Sequence, residues 1–337
     1  MTTLLVAVII FGLLIVTHEL GHFMVAKMVG IRVHEFSIGM GPVVLSTRKG
    51  ETVYSLRAFP IGGFNRMAGM EPGDLEDERG FNKKSVGQRM AVIVAGSAMN
   101  FLLAIFLFIF VFMGIGVPSN TTVVGGVLPG RPAEQAGLQR GDRILAVAGQ
   151  EVDNWRELVE IIHRSPGKPL NLLVERAGKQ MQFTVTPEMD PQSKVGLIGI
   201  EQMWKQLGFF SSILRGIQQA LAVGVLILTS LVQMVTGQVP AEVAGPIGIV
   251  QLAGEAARLG LASVLDFAGL LSLNLGIINL FPIPALDGSR LIFLGVEGVR
   301  GRPVDPEREN FIHLIGFALL ILLMIVITYQ DLLRIFG

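Results

Sequence analysis

Runs of apolar residues set the first limit on what this chain can fold into. Residues 4–16, 90–117, 261–280 and 311–327 carry almost no charge. Once its helical flanks are included, each gives a helix long enough to cross the hydrocarbon core of a bilayer. The whole chain agrees: 16% of its residues are charged, 41 are glycine, and its mean hydropathy is +0.59. Such a composition suits membrane helices. Lys+Arg and Asp+Glu balance at 27 each, so nothing favours nucleic acid. Residues 221–235 are apolar enough to span, but Arg215, Gln218, Gln219 and Gln233 mark the segment.

Within the first run lies His18-Glu19-Leu20-Gly21-His22. Residues four apart share a helix face, so the two imidazoles can meet one metal ion. Glu19 stands beside them, where a carboxylate can take a proton from an attacking water. Polar groups of this kind are costly in a membrane helix and point to function. The chain has no cysteine, so a zinc site must draw on His and carboxylates. The run 1–28 has no basic start and no small-residue cleavage site, and reads as a retained helix rather than a signal peptide.

Residues 29–89 hold short β-prone runs broken by Gly and Pro, a hairpin-rich element partly facing the membrane. Phe59-Pro60-Ile61-Gly62-Gly63-Phe64 leaves backbone accessible, which suits either a strand that receives another chain or a plain glycine turn. His34 reads as a hairpin surface residue, and Asn100 in the second span as a helix-packing amide. Residues 118–202 change character: strand-like 123–127, a helix over 155–163, and a hairpin of 170–176 with 180–186. The run from 261 leads into Asn279-Leu280-Phe281-Pro282-Ile283-Pro284-Ala285-Leu286-Asp287-Gly288, whose prolines must end or unwind the helix. Asp287 is then either a third ligand beside His18 and His22 or a helix-terminal Asp at the membrane surface. His163 reads as a helix-end residue and His313 as interfacial.

The succession from Pro132 to Gly149, P-A-x-x-A-G-L-x-x-G-D-x-I-x-x-V-x-G, resembles a PDZ domain in the permuted order of bacterial proteases. With the HELGH helix and the NLFPIPALDG segment it resembles, over the whole chain, the bacterial site-2 protease family of intramembrane zinc metalloproteases, of the RseP/RasP type. That resemblance implies zinc held by His18, His22 and Asp287, with Glu19 as general base. It implies that Asn279 and the strand around Ile61, Gly62 and Gly63 hold substrate backbone. The substrates would be single-pass membrane proteins, anti-sigma factors or remnant signal peptides, cut within the bilayer. One departure is visible, since this chain has room for a single PDZ domain.

The expected fold is a multi-pass α-helical membrane protein of four transmembrane helices, with a membrane-associated β-hairpin region and an inserted α+β PDZ domain. Its segments are helix 1 (1–28), the β region (29–89), helix 2 (90–117), the PDZ domain (118–202), an interfacial helical region (203–260), helix 3 (261–288), a cytoplasmic loop (289–310) and helix 4 (311–337). Residues 27–89 carry ten Lys/Arg and 286–310 carry four, against twelve over the much longer 118–260. By the positive-inside rule the first two are cytoplasmic, the PDZ domain lies outside a bacterial inner membrane, and the metal sits toward the cytoplasmic side. Two other classes compete. A catalytically inactive PDZ-bearing scaffold would not need an intact HELGH and LDG, and a metal transporter would need more carboxylates through the bilayer.

Overall fold

The computed structural model describes residues 2–70, 74, 76–191, 193–240 and 244–336, with Thr2, Pro60, Ile61, Pro306 and Phe336 as backbone only. The chain divides into two compact units, 1–111 with 212–337, and 112–211. The helices are α1 (Thr2–Met28), α2 (Val86–Gly114), α3 (Pro132–Gln135), α4 (Trp155–His163), α5 (Phe209–Val235), α6 (Pro246–Leu259), α7 (Leu261–Asn279), α8 (Asp287–Arg300) and α9 (Pro306–Phe336).

In the first unit, α1 and α2 run antiparallel. Leu107 packs with Ala7, Ile10 and Leu14, and Val92 lies against His22. Small residues bring them close: a side chain at Gly21 would strike the Ala95 carbonyl, and one at Gly96 would strike both imidazoles. Helix α7 runs parallel to α1. Its Gly269 faces Phe108, Ser272 Oγ donates to the Asn100 carbonyl at 2.8 Å, and Gly276 lies near Ser97. At one end of α9, Gly316 meets Pro284; at the other, the buried Asp331 accepts the backbone N–H groups of Gly245 (3.3 Å) and Gly248 (2.8 Å). Gly254, in the second half of α6, meets Thr3, while Gly245 and Gly248 meet Asp331, so α9 opposes α1 and α6 lies at the level where α1 starts.

Five of the described helices are long and apolar enough to cross a membrane: α1, α2, α5, α7 and α9. The apolar run read at 221–235 is part of the longer α5, which lays Gly216 against Ile105 and Ile109 and lines a groove with Phe101, Leu273 and Ile277. The second span begins four residues earlier than expected. The third ends at Asn279 rather than at 288, because Pro282 and Pro284 cannot continue it, and a new helix, α8, fills most of the expected loop.

The β region is more ordered than a set of separate hairpins. Strand β1 (Val33–Lys49) and strand β2 (Thr52–Met67) are long and fold back on themselves. Residues 33–38 pair on one side with 63–67 and on the other with 53–56, which also pair with 45–48. The ladder therefore reads 63–67, 33–38, 52–56, 45–49; the two outer pairings are antiparallel, 33–38 runs parallel to 53–56, and 63–67 is an outer strand.

The second unit, described by itself, carries a sheet in the order Gln150–Glu151, Arg143–Val147, Leu170–Arg176, Lys179–Val185. Val124–Val127 pairs with the late strand Ile200–Gln202, the closure expected of a permuted domain. Val124, Ile144, Leu158, Leu172 and Val174 fill its core. Helix α4 starts at Asn154, whose side chain accepts the Glu157 N–H at 3.1 Å.

Candidate metal centre and active site

Two turns of α1 carry His18, Glu19 and His22, and α2 fixes the imidazoles. His22 Nδ1 lies 2.8 Å from the Val92 carbonyl oxygen. A carbonyl only accepts, so Nδ1 holds the proton and Nε2 is left with a lone pair. His18 Nδ1 lies 3.2 Å from the Asn100 amide, whose Oδ1 is buried without a partner. With Asn100 turned by half a rotation, its Oδ1 becomes the acceptor of Nδ1–H. His18 Nε2 is then free as well. Asn100, read from the sequence as packing, touches the site directly.

Asp287 arrives from the other direction. The Pro282–Pro284 turn ends α7, Ala285 takes a left-handed backbone (φ 76°), and Asp287 opens α8. Left-handed backbone costs a residue with a Cβ about 1–2 kcal/mol. Here His313 of α9 accepts the Ala285 N–H at 3.1 Å and helps hold it. Thus His313, expected at the interface, braces the turn that presents Asp287. Gly288 lies so close to the carbonyls of Leu280 and Phe281 that no larger residue fits. Arg89 of α2 binds Glu297 of α8 through both carboxylate oxygens, which anchors α8 beside the imidazoles.

As a result, Asp287 Oδ2 sits 3.1 Å from His18 Nε2 and 3.2 Å from His22 Nε2, and the two Nε2 atoms are 3.1 Å apart. Three donor atoms converge on one point, and Asp287 Oδ2 is buried with no other partner. Two imidazoles and a carboxylate without thiolates suit zinc, and three protein ligands leave a position open. The residues fit a catalytic zinc ion.

Around this point lies a cavity of about 700 Å³. Glu19, Gly62, Gly63, Asn65, Asn279, His313 and Phe317 are among its lining residues. Of the residues read from the sequence, His18, Glu19, His22, Asp287, Asn279, Gly62 and Gly63 are brought together; the side chain of Ile61 lies outside the described residues. The outer strand 63–67 runs along Glu19: a Cβ at Gly63 would come within 3.0 Å of Glu19 Cγ and 2.9 Å of the Ser37 carbonyl. Asn65 Nδ2 donates to Glu19 Oε2 at 2.7 Å and to the Glu19 carbonyl at 2.8 Å. Sequence reading missed Asn65, Asn100 and His313. For Asn100 a signal existed, one amide in an apolar helix; for the other two there was none.

His34 pairs with Asp74 at 2.7 Å, and Asp77 lies within ligand distance of both. Asp77 is already engaged by Arg32 at 2.8 Å, so that cluster is satisfied as a charge network.

The family model for peptidase family M50 matches residues 6–323. The chain is similar to a zinc metalloprotease RasP of Geobacillus kaustophilus, 35% identical over 98% of this chain and 97% of that one. It is also similar to the regulator of sigma-W protease RasP of Bacillus subtilis, 33% identical over 99% of each. The first alignment runs over 410 positions against the 337 residues of this chain, so that relative carries sequence that this chain lacks. Among solved structures, the PDZ domain of an SdrC-like protein from Listeria monocytogenes is 24% identical, covering 26% of this chain and 90% of that one, with a TM-score of 0.23.

Proposed function

This chain belongs to peptidase family M50, and on that premise we propose that it is an intramembrane zinc metalloprotease of the site-2 type, an integral membrane protein that hydrolyses peptide bonds within membrane-spanning segments. The observation that carries this reading is the convergence of His18, His22 and Asp287 with Glu19 beside them, inside a unit built of membrane-length helices. His18, His22 and Asp287 hold the zinc. When bound, zinc supplies Lewis acidity, which polarises a peptide carbonyl and acidifies water. Glu19 takes the proton of the attacking water and delivers it to the departing amide nitrogen. Val92 and Asn100 fix the tautomer and aim of the two imidazoles.

A helical substrate hides its backbone in its own hydrogen bonds, so it must unwind before it can be cut. The outer strand 63–67 lies along the cavity with Gly62 and Gly63 at its start, and supports a role in pairing with the unwound segment. Asn279 at the end of α7 holds substrate backbone from the opposite wall. On the far end of the ladder, Met40, Val43, Val44, Leu45 and Phe59 are at least half exposed while Arg48 and Lys49 flank them. That pattern supports an apolar tip resting in the membrane surface.

The inserted PDZ domain lies outside the cell membrane and the metal toward the cytoplasm, on the distribution of Lys and Arg. Helix α5 runs along α2, and the chain is at the level of Thr3 in α6. The segment from α5 to α6 therefore dips in and returns, and α1, α2, α7 and α9 make four full crossings. Substrates are single-pass membrane proteins, of the anti-sigma or signal-peptide kind; the Bacillus subtilis relative is named as a regulator of sigma-W protease. A scaffold with a relict site is disfavoured by the complete ligand set. Metal analysis tests the reading. His18→Ala, His22→Ala and Asp287→Ala each lose zinc and cleavage, while Glu19→Gln keeps zinc and is inactive; full zinc in Asp287→Ala would remove that ligand.

A further inference from the structure

We infer that Asn65 is the positioning residue of the general base, tying Glu19 to the strand that borders the cavity. The inference rests on the assignment of Glu19 as base. Asn65 sits on the outer strand 63–67, and residues two apart on a strand share a face. Gly63 and Asn65 therefore present one face to α1. At Gly63 the absence of a side chain lets the strand run against the Glu19 stem, with a Cβ there only 3.0 Å from Glu19 Cγ. At Asn65 the amide closes on the same residue.

Its Nδ2 donates to Glu19 Oε2 at 2.7 Å and to the Glu19 carbonyl at 2.8 Å. Those two acceptors lie at opposite ends of the glutamate, so one amide group fixes both the backbone position and the carboxylate end. The reversed amide would set its oxygen against two oxygens, so the donor orientation is the only one compatible with these contacts. Asn65 Oδ1 is meanwhile buried with no partner among the described residues. The amide is held where Glu19 needs it.

A carboxylate with one oxygen fixed leaves the other for a water in the cavity that Glu19 lines together with His18, His22 and Asp287. Fixing a base in this way acts on the reacting geometry and leaves the metal and substrate affinity untouched. The bond also joins the base to the strand proposed to receive substrate, so a displaced strand moves Glu19 with it.

The test uses the full-length enzyme in proteoliposomes with a single-span reporter substrate, reading kcat, KM and zinc stoichiometry. Asn65→Leu keeps the packing volume and removes the donor. It is expected to lower kcat by about 10- to 100-fold, with KM and zinc content unchanged. Asn65→Gln restores an amide donor and is expected to recover part of that loss. A leucine variant with kcat within about twofold of the parent overturns the inference, on the scale set by a misplaced catalytic group. So does one whose loss is explained by missing zinc or by a raised KM. Glu19→Gln run beside it separates the two readings. Turnover by that variant ends the base assignment itself; an inactive Glu19→Gln with a normal Asn65→Leu ends the positioning role alone.

Discussion

The His18/His22 pair was legible in the sequence because i, i+4 spacing places both on one helix face, whereas Asp287 stayed open between a third ligand and a helix-terminal Asp. The supports of these residues were not legible. Asn100 could be seen as a lone amide, but nothing in the order of residues says that it reaches His18 Nδ1 at 3.2 Å. If it aims that imidazole, Asn100→Ala lowers zinc affinity by about 10- to 100-fold, the usual effect of removing a ligand's hydrogen-bond partner. Titration of the purified protein with a competing chelator measures it; unchanged affinity would return Asn100 to a packing role. Gly63 gives a second residue-scale prediction. A valine there must push on the Ser37 carbonyl or on Glu19, so Gly63→Val is expected to lower kcat while zinc remains bound. Normal turnover would mean that the strand yields without moving the base.

Among the elements, the β region shows where sequence reading stops. Its β-prone runs were visible, but alternation cannot say which run lies outermost, and that depends on both long strands folding back. Residues 53–56, which look like a free strand in the sequence, are paired on both sides: Leu56 faces Ile38 and Leu45. Proline at Leu56 therefore removes a donor from an interior strand and is expected to lower the thermal stability of the membrane unit rather than only its turnover. The α7–α8 junction is similar. Two prolines announced a break, but the restart of α8 at Asp287 depends on contacts distant in sequence, His313 on the Ala285 N–H and Arg89 on Glu297. In the inserted unit, Asp142 is buried, which pushes its carboxyl pKa up, but Arg176 and the Gln139 N–H outweigh this and hold it below the ordinary range. A lowered folded-state pKa stabilises above the unfolded value of about 3.9 and loses that contribution as pH falls through the folded value. The unit should hold its stability above about pH 4 and lose it below. Asp142→Asn should be less stable at neutral pH, by about 2 kcal/mol, and less sensitive to acid. Thermal unfolding followed at several pH values checks both.

For the whole molecule, α1 and α7 are parallel and α2 and α9 antiparallel to them, which sets the order of the four crossings proposed above. Helix α5 adds a fifth apolar length that the run of 221–235 only half announced, since its first turns carry Arg215 and two glutamines. With α6 back at the level of Thr3, Lys205→Cys and Arg258→Cys in this cysteine-free chain should both react with a membrane-impermeant thiol reagent on intact cells, and Lys49→Cys should not. Protection of Arg258→Cys would make α5 a true crossing. As proposed above, His18, Glu19, His22 and Asp287 together cut a peptide bond at membrane depth. Reconstituting the zinc-loaded protein with a single-span reporter and mapping the product ends by mass spectrometry tests it most directly. A new terminus is expected inside the apolar segment, absent with Glu19→Gln although that variant keeps its zinc. Product ends confined to the soluble part of the reporter, or equal cleavage by Glu19→Gln, would contradict it.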